Sequence, residues 1–129
     1  MTFTNAGTVL LIEDDEIMLK VIERILLKEG YQVLVARNGK EAMQRLEQGG
    51  FNLVITDLMM PYANGFEVIS KVKSSDKSKG IPVIVISSVG NEDSIMEGFR
   101  LGADDFLKKP IMAGELMIRV KRLISTSKS

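Results

Sequence analysis

A chain of 129 residues that is 45% hydrophobic can bury one core of ordinary domain size without disulfide or metal staples. Lys+Arg and Asp+Glu both number 17, so no overall basic field draws the chain to nucleic acid. Cysteine and histidine are absent, which excludes disulfides, thiolate and imidazole metal sites, Ser-His-Asp triads and histidine general bases.

The longest purely aliphatic runs, Val9 to Ile12 and Val83 to Ile86, are far too short to span a bilayer. The first seven residues lack the basic start and apolar run of a secretory signal. The expectation is a soluble cytoplasmic chain whose chemistry rests on carboxylates, hydroxyls and amines.

In chain order, Val9 to Ile12 reads as a strand. From Asp15 to about Glu29, Met18, Val21, Ile22, Ile25 and Leu26 fall on one helical face, and Gly30 stops that helix. Tyr31 to Val35 is a second strand. Asn38-Gly39 opens a helix with Ala42, Met43 and Leu46 inward, ended by Gly49-Gly50. Leu53 to Thr56 is a third strand, and a helix from about Gly65 carries Phe66, Ile69 and Val72 on one side. After a polar loop, Ser74 to Gly80, comes a strand at Pro82 to Ile86, with proline at the position that needs no ladder N–H. Asn91 caps a helix carrying Ile95, Met96 and Phe99. A short fifth strand, Asp105 to Lys108, precedes a last helix at about Ala113 to Ser125 with Leu116, Met117, Val120, Leu123 and Ile124 at helical spacing.

Five β-α repeats with short loops predict an α/β fold, a doubly wound parallel sheet with helices on both faces. The first, third and fourth strands are nearly unbroken aliphatics, as strands buried on both faces should be. The second contains Gln32 and the fifth is short and flanked by charge, so both belong at edges. That fits the doubly wound order 2-1-3-4-5 of a flavodoxin-like sheet. One domain is expected over residues 1–129, with its core at about 8–124 and a short polar tail at 125–129.

In such sheets ligands bind beyond the carboxyl ends of the strands. The first strand is followed by Glu13, Asp14, Asp15 and Glu16, the third by Asp57, the fourth by Ser87-Ser88, and the fifth by Lys108-Lys109-Pro110. Two like charges about 4 Å apart repel by roughly 4 kcal/mol at an effective dielectric of 20, so converging carboxylates require a proton or a cation. All-oxygen ligands suit a hard cation, and Mg²⁺ retaining several waters fits best. A divalent cation, a free carboxylate, a hydroxyl and a lysine together are equipped for phosphoryl transfer to an aspartate.

Four fragments, Val-Leu-Leu-Ile-Glu13-Asp14-Asp15, Ile-Thr-Asp57-Leu-Met-Met-Pro61 followed by Gly65, Val-Ile-Ser87-Ser88, and Gly102-Ala-Asp-Asp-Phe106-Leu-Lys-Lys109-Pro110, stand in order at successive strand ends. Together they resemble the receiver domain of bacterial two-component response regulators, to which the chemotaxis regulator belongs, from about Thr8 to Ile124. The resemblance implies that Asp57 is the phosphoacceptor. Asp14 would bind Mg²⁺ directly and Glu13 through water, with the backbone carbonyl of Met59 completing the site. Ser87 would hydrogen-bond the phosphoryl oxygens, Lys109 would pair with them, and Phe106 would be the aromatic switch. Pro110 would follow a cis peptide that aims Lys109 inward.

Several residues have plainer readings. Asp15 and Glu16 suit capping and the helix dipole. Ser87 and Ser88 alone read equally well as loop hydroxyls satisfying N–H groups. Lys108 reads as a solvated edge lysine, Phe106 alone as core, Met59 and Met60 as loop packing, and Arg119, Lys121 and Arg122 as a solvated face. Two departures touch the association surface: Ser88 stands where the family usually has a small residue, and Ile111 where phenylalanine is frequent. In the winged-helix branch a charged network spans the last two helices and the fifth strand. Glu115, Arg119 and Asp105 match part of it, while Ile95 holds a position that is basic there.

The expected function is a phosphorylation-dependent signalling switch, not an enzyme in its own right, that changes its helix 4, strand 5 and helix 5 face. A sensor histidine kinase or histidine phosphotransfer protein would supply the phosphoryl group, because this chain has no histidine to hold it. A downstream effector protein would read it, and the chain would be a monomer or weak dimer touching neither nucleic acid nor membrane. The competing readings are a receiver-like interaction module without phosphorylation and an aspartate-nucleophile phosphatase. The second needs a general acid two residues after Asp57, where Met59 stands. Met59 and Val89 carry no acid-base group to position an attacking water, so the acyl phosphate should hydrolyse slowly.

Overall fold

The aliphatic runs form strands and the amphipathic segments form helices, in strict alternation. The computed structural model describes residues 6–58, 64–88 and 91–127. Its elements are β1 (Thr8–Ile12), α1 (Glu16–Lys28), β2 (Gln32–Ala36), α2 (Gly39–Gln48), β3 (Leu53–Asp57), α3 (Gly65–Ser74), β4 (Val83–Ser87), α4 (Glu92–Leu101), β5 (Asp105–Lys108) and α5 (Ala113–Ser127). α5 thus runs two residues past its expected end, into the segment read as a tail. The strands make one parallel sheet in the order β2-β1-β3-β4-β5, as expected.

Alternation along each strand divides the core in two. Val9, Leu11, Leu53, Ile55, Ile84 and Ile86 face one side, under α1 and α5. Leu10, Ile12, Val54, Val83 and Val85 face the other, under α2 and α3 with Leu101 of α4 at the margin. β1, β3 and β4 are covered on both faces, which is why their sequences are continuous aliphatics. Each of α1 to α4 starts on a side-chain cap: Asp15, Asn38, Asn64 and Asn91 accept hydrogen bonds from the next turn's amides.

Packing decides three points that the sequence pattern read otherwise or left open. On α1 the fully buried residues are Leu19, Ile22 and Leu26, while Val21 is 44% exposed. The segment is apolar at so many positions that its period fits two faces, and the packing of β1 and α5 selects between them. On α4, Met96 and Phe99 are 61% and 45% exposed, so this helix leaves its two largest apolar side chains outside. On α5, Arg119 and Arg122 are not a merely solvated face. Both hold the buried Asp105 carboxylate of β5, with Arg119 Nη1 at 3.0 Å and Arg122 Nη2 at 3.1 Å. A charge at a strand edge recruited cations that the helical pattern alone placed in water.

Candidate functional site

Parallel register carries the chemistry to one end of the sheet. Ile12 pairs with Thr56, Asp57 with Ile86, and Ser87 with Lys108, so Glu13, Asp57, Ser87 and Lys109 leave adjacent strands at nearly one level. The loops stay tied to the ladder: Glu13 N donates to Ala36 O at 3.0 Å, Leu58 N to Ile86 O at 3.0 Å and Lys109 N to Ser87 O at 2.8 Å. The Lys109–Pro110 peptide is cis.

Carboxylate oxygens of Glu13, Asp14 and Asp57 lie within 4.8 Å of one another. Glu13 is fully buried, Asp57 is buried, and Asp14 reaches out to solvent. Lys109 Nζ enters this group, 3.0 Å from Glu13 Oε1 and 3.4 Å from Asp57 Oδ2. Burial pushes the Glu13 carboxyl up from 4.5 to about 7; the Asp15 amide and Lys109 pull it back, and the neighbouring Asp57 adds to the rise. Burial also lowers Lys109, but the two carboxylates beside it outweigh that and hold its ammonium above the ordinary value.

The donor set fits a hard divalent cation. Glu13 Oε1 is a buried acceptor without a well-formed hydrogen bond, because Lys109 approaches it at ion-pair distance but off the hydrogen-bond line. Three carboxylates against one ammonium leave excess negative charge, and only oxygen ligands are offered. This acidic cluster is suited to Mg²⁺.

Of the neighbouring acids, Asp15 has the capping role read from its place, and Glu16, in the first turn of α1, also pairs with a cation the spacing did not point to. Asp15 Oδ1 caps α1, accepting from Ile17 N at 2.9 Å and Met18 N at 3.3 Å. Glu16 forms a two-pronged pair with Arg37 at 2.9 and 3.3 Å. Ser87 is buried at the end of β4, and Ser88 beside it is exposed. Phe106 is half-buried and packs against the cluster under α2 and α3. Met59, Met60 and Val89 lie outside the described residues.

Gly65 plays a part that the sequence pattern did not assign. A Cβ there would lie 2.7 Å from Asp57 O and 2.8 Å from Leu58 Cα, so only glycine lets the start of α3 press against the end of β3. Its amide donates to Leu58 O at 2.7 Å. The available signal was its place in the motif after Pro61, but the close approach belongs to the fold.

A family model described as the response regulator receiver domain matches residues 9–121. This chain belongs to that family. The receiver is 37% identical over 117 residues to the transcriptional regulatory protein CrdR of Helicobacter pylori, covering 91% of this chain and 54% of the relative. It superposes on the receiver domain of a signal transduction histidine kinase from Syntrophus aciditrophicus with a TM-score of 0.87 at 33% identity, covering 95% of this chain and 92% of that one. On the phosphorylated cyanobacterial phytochrome response regulator RcpA the TM-score is 0.80 at 29% identity, covering 93% and 95%. The chain spans about half the length of the curated relatives it matches. The receiver is thus a regulatory module of two-component systems, with an acidic pocket at the carboxyl ends of β1 and β3. No helix among the described residues is long and apolar enough to cross a membrane.

Proposed function

We propose that the receiver accepts a phosphoryl group on Asp57 in a Mg²⁺-dependent reaction and uses it to switch a protein-binding face. The observation that carries this reading is the cluster itself: Asp57 shares a 4.8 Å neighbourhood with Glu13 and Asp14, and Lys109 Nζ stands 3.4 Å from its Oδ2. That a similar receiver, RcpA, exists in a phosphorylated form supports it. The physiological donor in this reading is a phosphohistidine on a sensor kinase or phosphotransfer protein; none of these 129 residues is a histidine that could carry it.

An Asp57 carboxylate oxygen attacks phosphorus in line. The donor's P–N bond breaks, its nitrogen keeps the electron pair and takes a proton, and an acyl phosphate forms. Glu13, Asp14 and Asp57, with the Met59 carbonyl, are the residues that would hold Mg²⁺, whose chemistry is to neutralise charge on the phosphoryl oxygens. Lys109 adds a second positive charge, and the Ser87 hydroxyl donates to a phosphoryl oxygen, with Phe106 following it inward. A hydrogen bond to a charged group contributes roughly 1.5–3 kcal/mol, whereas moving a switch from 1:99 to 99:1 takes about 5.5 kcal/mol. Ser87 therefore works together with Lys109. The face that changes is α4, β5 and α5, read by a downstream effector.

A phosphatase is the weaker reading, since Met59 occupies the general-acid position. An interaction module without phosphorylation leaves the buried Glu13–Lys109–Asp57 cluster without a use. Incubation with acetyl phosphate and Mg²⁺, followed by intact mass measurement, decides the matter: wild type gains one acid-labile phosphoryl group and Asp57→Asn gains none. Equal labelling of the two would remove Asp57 from its assigned role.

A further inference from the structure

Large exposed apolar side chains among the described residues fall on two patches. One is α4, with Met96 and Phe99; the other is the pair α1 and α5 with the loop before α5, where Ile17, Val21, Leu27, Met112 and Ile118 are 44–78% exposed. Between α1 and α5 lies an open groove of about 960 Å³, floored by Val21, Ile25, Met117 and Ile118. Apolar surface gathered this way marks a contact surface.

Charge separates the two patches. The groove is lined by Lys20, Arg24, Lys28 and Lys121 and by one acid, Glu29; Lys121 pairs with Glu29 at 3.2 Å and Lys20 lies 3.9 Å from Glu16, so Arg24 and Lys28 carry the excess positive charge. α4 carries Glu92, Asp93 and Glu97, and its one cation, Arg100, is taken up by Glu97 at 2.7 Å. At 100° per residue, Glu92, Met96 and Phe99 share a stripe, so the exposed face of α4 is apolar and acidic. The groove is apolar and basic. A helix seated between two helices also matches in shape, and the 10 residues of α4 fit beside the 13 of α1.

We propose that α4 of one copy seats in the α1–α5 groove of another. Groove against groove would oppose two sets of lysines, and α4 against α4 would oppose two acidic stripes; only the unlike pairing brings opposite charges together. α4 lies on the opposite face of the sheet from α1 and α5. The contact is therefore head-to-tail, open at both ends, and builds a series of oligomers rather than a closed dimer. The surfaces are small, so association is weak and salt-sensitive.

Sedimentation of the full chain, without phosphoryl donor or metal, tests this independently of the phosphorylation reading. Wild type should show an average mass that rises with concentration into the range of several hundred micromolar and falls back toward the monomer in 0.5 M salt. Ile118→Glu spoils the groove and leaves α4 intact; Met96→Lys does the reverse. Both positions are exposed, so circular dichroism should match wild type. Each variant alone should be monomeric, while an equimolar mixture should form one-to-one dimers and stop there. Monomeric wild type throughout, a closed dimer, or a mixture that stays monomeric overturns the proposal. If wild type stays monomeric while a synthetic acidic amphipathic helix binds it and not Ile118→Glu, the groove belongs to a foreign helix and the proposal also falls.

Discussion

Glu13 is the residue whose environment departs furthest from what its sequence position suggests. Beside Asp14, the expected direct ligand, it reads as the acid that reaches the metal through water, yet it is fully buried and its carboxyl is raised to about 7, while Asp14 is exposed. A carboxyl raised in the folded state keeps its proton where the unfolded chain releases one. Without metal, stability from this group is full below about pH 4.5 and is lost as pH rises to about 7, with a slope of at most about 1.4 kcal/mol per pH unit. Urea denaturation across pH 4.5–7.5 should show that decline in wild type and a flatter profile in Glu13→Gln; parallel profiles would refute it. Mg²⁺ binding needs the carboxylate, so affinity measured by calorimetry should rise over the same interval. The identity of this acid was legible in the sequence because an acid pair ending an aliphatic strand is unusual. Its burial was not, since that depends on groups brought to it by the fold, Lys109 Nζ at 3.0 Å among them.

At the scale of elements, periodicity gave every strand and helix its place, with boundaries moved by a residue or two. It failed where apolar residues are in surplus. α1 offers Ile17, Met18, Leu19, Val21, Ile22, Ile25, Leu26 and Leu27, more than one face can bury, and the structure chooses Leu19 over Val21. Leu19→Ala should therefore cost about 2–5 kcal/mol in a urea melt and Val21→Ala less than about 1 kcal/mol. Equal costs would mean that the helix is turned otherwise. The surplus on α1 and on α4 also supplies the exposed apolar side chains of those two helices. On β5 and α5 the same limit applies to charge: Arg119 and Arg122 look solvated along their helix, and only the neighbouring strand provides Asp105.

For the whole molecule, topology creates an electrostatic cost in order to build a site. β1 and β3 bring three carboxylates within 4.8 Å, and Lys109 answers only part of that charge. Asp14→Ala should therefore raise the urea midpoint of the metal-free protein, by less than about 1 kcal/mol because Asp14 is exposed. In saturating Mg²⁺ the order should reverse, since a bound ligand stabilises the fold by RT ln(1 + [L]/Kd) and the variant binds it poorly. Clear destabilisation of metal-free Asp14→Ala would refute the crowding of acids. Composition placed β2 and β5 at the edges of the sheet, because strands covered on both faces must be aliphatic and edge strands need not be; the order of the three central strands came from the doubly wound topology that this fits.

Local pattern by itself thus determined the alternating elements, the two edge strands and the strand ends at which acids, a hydroxyl and a lysine occur. Each depends on near neighbours in the chain and on a period of two or 3.6 residues. Only the tertiary structure decided which face of α1 is buried, that Glu13 rather than Asp14 is dry, that Gly65 touches β3, and that Asp105 holds two arginines. Those outcomes depend on groups far apart in the chain, whose distances the packing of the sheet sets.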